Sequence, residues 1–99
     1  MIAIIAKLTV HAGKEDDFKA AGAEMVAAVK ANEAGRTLAY TLAQNSANPA
    51  EFYFLEMYAD ADALAAHSKS PHMAAFGGKL PGVVNGRPEI TRLETVATI

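Results

Sequence analysis

His67 and His72 lie five positions apart on either side of Ser70-Pro71, and upstream of them stand Glu56, Tyr58 and Tyr40. Imidazole exchanges protons near neutral pH, which makes the two histidines the candidates for acid–base work. A lone helical histidine more often caps a turn or fills a half-exposed site, and the spacing around Ser70-Pro71 does not require the two rings to converge. Glu56 alternates with Phe52, Phe54 and Tyr58, a face too apolar for an unpaired carboxylate. It needs a partner: His67 or a bound molecule, or equally a structural pairing with Arg92 or Lys7 on neighbouring strands. Tyr40 and Tyr58 can orient a ligand hydroxyl, although strand tyrosines more often pack. Met73 suits a pliable pocket wall, and Phe76 falls on the same short helix. No metal site is expected, because His11, His67 and His72 lack i, i+4 ligand spacing and no acidic residue joins them in a recognised motif. Gly77-Gly78 and Gly82 lack the lysine-serine ending of a phosphate loop.

The elements that must position these groups follow from periodicity. Ile2, Ile4, Ala6, Leu8 and Val10 alternate with Ala3, Ile5, Lys7 and Thr9, which predicts a first strand. Phe18, Gly22, Met25 and Val29 then recur at helical spacing, from about Lys14 to Asn32, with Glu15-Asp16-Asp17 at the positive end of the helix dipole and Gly35 just beyond the other end. Thr37 to Gln44 alternates again, placing Leu38, Tyr40 and Leu42 on one face and Thr37, Ala39 and Thr41 on the other. Asn45 to Pro49 reads as a hairpin loop into a third strand, Glu51 to Tyr58. Asp60 caps a short helix whose Ala61, Leu64, Ala65 and Ser68 share a face. Ser70-Pro71 starts another, carrying Met73, Phe76 and Leu80. The Gly- and Pro-rich stretch after Gly77 reads as an ordered loop or lid, and Glu89 to Val96 as a last strand.

Strand, helix, strand, strand, helix, strand is the βαββαβ order of ferredoxin-like α+β folds, with a four-stranded antiparallel sheet and right-handed crossovers that put the helices on one face. Strand three is bulky on both sides and strand one starts apolar on both. The open face therefore calls for a cover, and the simplest is a second copy, giving a homodimer.

Composition narrows the partners. The 99 residues suit one domain, 1–99, and 52% apolar residues mark a folding chain. A net charge of −2 without a basic cluster argues against nucleic acid and anionic membrane as partners. The absence of cysteine removes disulfides and thiolate chemistry. No apolar run approaches a membrane span and MIAIIAKLTV is no signal peptide, so a cytoplasmic location is expected.

Asn32-Glu33-Ala34-Gly35, Leu38 to Leu42, then Phe52, Glu56, Tyr58, Asp60, Ala63-Leu64, His67, Ser70 and His72 resemble the antibiotic biosynthesis monooxygenase domain family, which includes quinol monooxygenases. The resemblance spans nearly the whole chain. It implies a dimeric α+β barrel with a cleft in each subunit between sheet and helices, where some members oxidise small aromatic substrates with molecular oxygen and no metal or flavin. Other members are isomerases or have no established activity. On this resemblance His67, His72 and Glu56 are catalytic candidates, and Tyr40, Tyr58, Met73 and Phe76 line the substrate cleft. The alternative is a non-catalytic ligand-binding or stress-related dimer of the same fold. Three departures matter: Arg36-Thr37 lengthen the approach to Leu38 by one residue, which points to a bulge at that edge. There is also no tryptophan, which members that degrade haem require, and Met73 stands where an aromatic is common.

Overall fold

The computed structural model describes residues 1–99 and contains the elements β1 (Ile2–Thr9), α1 (Glu15–Asn32), β2 (Thr37–Gln44), β3 (Glu51–Tyr58), α2 (Ala61–Ser68), α3 (Pro71–Gly77) and β4 (Glu89–Glu94). All neighbouring strands are antiparallel, in the order β2-β3-β1-β4. This is the predicted ferredoxin-like arrangement. No helix is long and apolar enough to cross a membrane.

One face of the sheet meets the helices. In register across it lie Ile4 and Glu56, Ala6 and Phe54, Leu8 and Phe52, with Tyr40 opposite Glu56 on the far side of β3. From α1 the predicted stripe of Phe18, Gly22, Met25 and Val29 is buried against this face. Phe18 packs on Phe52 with ring centroids 4.8 Å apart, and Phe76 meets Phe54 edge-on at 5.5 Å. Gly22 lets α1 approach β2 closely: a Cβ there would lie 2.3 Å from a methyl of Leu42.

The two short helices depend on their caps. The Asp60 carboxylate accepts from the Ala63 N–H at 2.8 Å, and Ser70 Oγ accepts from the Met73 N–H at 3.2 Å ahead of Pro71 at the first helical position. The inward face of α2 differs from the apolar spacing: Ala63 and His67 are buried while Ala61, Ala65 and Ser68 are exposed. A polar partner draws His67 inward and sets the helix rotation.

In β2 the register slips between Thr37 and Ala39. The expected bulge is present, and it corrects the face assignment: Leu38 turns outward at 49% exposure, while Thr37 sends its hydroxyl to the buried Glu33. β4 is shorter than the alternation suggested, ending at Glu94, with Val96 fully exposed beyond it. The segment before β4 is an ordered loop tied to the end of β1 by Asn85 N–H to the Thr9 carbonyl at 2.7 Å and a Val10–Val84 bridge.

Candidate functional site

A cavity of about 360 Å³ opens between the sheet and the two short helices. Its floor is Ile4, Ala6 and Phe54, its roof Leu64, Met73 and Phe76, and its polar groups are Tyr40, Glu56, His67, Ser68 and Arg92. The residues inferred from sequence thus divide. Tyr40, Glu56, His67, Met73 and Phe76 line this cavity. Tyr58 is wholly buried and supports Glu56 from below. His72 faces a smaller pocket of about 70 Å³ against α1.

His67 sits between the rings of Tyr40 and Tyr58, each with its centroid 5.2 Å away. Its Nδ1 lies 3.0 Å from both carboxylate oxygens of Glu33. A carboxylate can only accept, so in the neutral imidazole Nδ1 carries the proton and Nε2 is the nitrogen left with a lone pair for a molecule in the cavity. Glu33 also accepts from His72 Nε2 at 2.5 Å and from the Thr37 hydroxyl at 2.5 Å. Burial by itself would raise the Glu33 carboxyl, but hydrogen bonds from Thr37, His72 and His67 outweigh it and hold the group below the ordinary carboxylate range. The two histidines therefore do converge, through a residue whose site role the local spacing did not reveal. Glu33 stands just past the last turn of α1, four residues beyond Val29 on the same buried stripe, which is the signal that could have found it, and its histidine partners are 34 and 39 residues away.

Glu56 finds its partner on its own strand. The Tyr58 hydroxyl donates to Oε1 at 2.5 Å, two residues along and on the same face. The other side-chain partners are excluded by geometry: Lys7 belongs to the other face, where it pairs with Glu51 at 3.4 Å and Glu89 at 3.8 Å, and His67 is committed to Glu33. Arg92 makes no ion pair with Glu56 because β1 lies between them, Ile4 being in register with both. Burial pushes the Glu56 carboxyl up to about 7, with the Tyr58 bond opposing and the Glu33 charge adding. Burial likewise raises both tyrosine hydroxyls, so Tyr40 and Tyr58 remain protonated donors.

The shift at Glu56 has a definite sign in stability. An unfolded glutamate loses its proton near 4.5 while the folded one keeps it to about 7, so the folded state binds more protons in that window. Stability contributed by the group is fully present below 4.5 and declines as pH rises to about 7, by on the order of 3 kcal/mol. Chemical denaturation of the parent between pH 5 and 8 is expected to show this loss, and Glu56→Gln a visibly shallower slope. Parallel slopes would mean that Glu56 titrates normally.

Fold and cavity define a ferredoxin-like α+β protein with an apolar chamber under two short helices and one oriented histidine in its wall. The chain belongs to the antibiotic biosynthesis monooxygenase family, whose model matches residues 1–79. Among solved structures, a protein of Caulobacter crescentus CB15 provisionally named an antibiotic biosynthesis monooxygenase is 32% identical, with a TM-score of 0.91 over 97% of this chain and 90% of that one. A Nitrosomonas europaea protein of the same provisional name superimposes with a TM-score of 0.89 at 16% identity, covering 98% of this chain and 100% of that one. A conserved protein of Methanosarcina mazei Go1 reaches 0.84 at 24%, covering 93% and 89%. These last two likenesses speak to the fold. None of the curated proteins matches the chain.

Proposed function

We propose that the protein is a cofactor-independent monooxygenase that oxidises a small quinol or polyphenol with molecular oxygen. The observation that carries this reading is the Glu33–His67 pair, which fixes one imidazole tautomer and leaves Nε2 as a base in the wall of an apolar chamber. A hydroquinone hydroxyl placed there loses its proton to Nε2. The resulting anion passes one electron to oxygen, and the semiquinone and superoxide recombine at the adjacent ring carbon as a hydroperoxide. Loss of water gives a hydroxyquinone. One oxygen atom enters the product, the other leaves in water, and the substrate itself supplies the electrons. Glu56, protonated up to about pH 7, is placed to give a proton to the departing oxygen, while Tyr40 and Arg92 can orient the second hydroxyl. Oxygen uptake measured with a panel of hydroquinones tests the proposal, and no uptake above the His67→Ala, His72→Ala double variant would remove its basis.

The largely apolar lining also suits a second reading, a binding module without chemistry. Saturable binding of an aromatic compound without turnover, with mild effects of both histidine changes, would favour it.

A homodimer is part of the proposal. On the face away from the helices Ile5 and Leu55 stand in register, both exposed, beside Ala3, Met57 and the exposed Leu93. A bare apolar sheet face of this kind favours a second copy as its cover. Sedimentation is expected to give a dimer for the parent and a monomer for Leu55→Lys, which buries a charge in the seam; a parent that sediments as a stable monomer at micromolar concentration contradicts the dimer.

A further inference from the structure

We infer that Glu33, His67 and His72 form a binding site for a divalent transition-metal ion, and that the ion switches the cavity base off. One ligand atom from each of Glu33, His67 and His72 lies within 4.8 Å of the other two. The two imidazole nitrogens approach Oε2 to 3.0 and 2.5 Å. An ion held at about 2.0–2.2 Å by such ligands sets neighbouring donor atoms about 3.0–3.4 Å apart, so small side-chain shifts suffice. Two imidazoles and one carboxylate select zinc, copper, nickel or cobalt over magnesium or calcium. The second carboxylate oxygen is already held by the Thr37 hydroxyl at 2.5 Å, the kind of outer support that fixes a metal ligand in place. His72 is the least buried of the three, at 15% side-chain exposure, and gives the ion its route in.

Each neutral imidazole carries one proton, and the ion relocates it. On His67 the proton moves from Nδ1 to Nε2, and on His72 from Nε2 to Nδ1. No electron moves and no net proton leaves. Nε2 of His67 then presents an N–H to the cavity in place of a lone pair, and it can no longer accept a proton from a substrate. The metal site stands on the geometry alone; the switch rests on the proposed role of His67 as base.

The test uses the untagged chain, stripped with a chelator and titrated with cobalt(II). Visible absorption bands saturating at one ion per chain and displaced by zinc are expected. Glu33→Gln and His72→Ala should lose the bands, while His11→Ala, at an exposed histidine outside the cluster, keeps them. Nitrogen-15 NMR of the unsubstituted protein should show the His67 proton on Nδ1 without metal and on Nε2 with zinc, a readout independent of how the variants fold. No cobalt bands, or bands that persist in both cluster variants, would overturn the site whatever the turnover assay shows. With a hydroquinone that turns over, zinc at full occupancy is expected to lower the rate by at least roughly a hundredfold, the low end of what a positioned general base contributes. An unchanged rate would overturn the switch and leave the site standing.

Discussion

Replacing His67 by alanine should lower kcat for hydroquinone oxidation by about 10²–10⁴-fold, the range a positioned general base contributes. KM should change far less, because the cavity wall is mostly hydrocarbon and remains in place. The size of the effect follows from the tautomer: with Nδ1 engaged by Glu33, no other neutral imidazole nitrogen faces the chamber. His67→Gln keeps a polar group of similar reach without the basicity and should be nearly as slow. A kcat within a few-fold of the parent in either variant would remove His67 from the chemistry. His72→Ala should be milder, since His72 touches Glu33 and not the cavity.

Glu33→Leu is expected to cost about 2–4 kcal/mol of folding stability in urea denaturation. The change strips the acceptor from three donors at once: the His67 and His72 ring N–H groups and the Thr37 hydroxyl. Thr37 and His72 can turn to water, but His67 is only 5% exposed, and a buried donor without a partner costs about 1–3 kcal/mol. Glu33→Gln keeps one carbonyl acceptor and should lose about 1 kcal/mol, with turnover nonetheless well below the parent because a neutral amide holds the imidazole tautomer less firmly. Equal stability of the leucine and parent proteins would mean that the cluster is solvated.

The architecture could be read from the chain because it is written in short periods. Alternation in Ile2–Val10 and Phe52–Tyr58 set the central pair of strands, the Phe18-Gly22-Met25-Val29 stripe set the long helix, and Asp60 and Ser70-Pro71 announced the short ones. The site was legible where a residue shares a face with its neighbours, as Tyr40, Glu56, Met73 and Phe76 do. It was not legible where the partner comes from far along the chain. Glu33 continues the Phe18-Gly22-Met25-Val29 spacing one step past Val29, but a charge just beyond a helix end draws little notice, and only closure of the fold brings it against His67. The same closure explains the rotation of α2: apolar spacing alone turned Ala61 and Ala65 inward, whereas the buried hydrogen bond turned His67 inward. Glu56 shows the reverse error of scale, since its partner was sought across the sheet and stood two residues away.

The roof of the chamber consists of helices of eight and seven residues, lengths that do not hold together by themselves in water. Ala63, His67 and Phe76 anchor them from below, and His67 and His72 add a polar clasp to Glu33 at the end of α1. Opening of this roof is expected to be local and to leave the sheet intact, so amide exchange in α2 and α3 should run well ahead of β1 and β3 and slow when an aromatic ligand is bound. The clasp that ties the roof to α1 is also the bond that orients the base, so a motion that broke it would cost His67 its fixed tautomer together with its place in the wall.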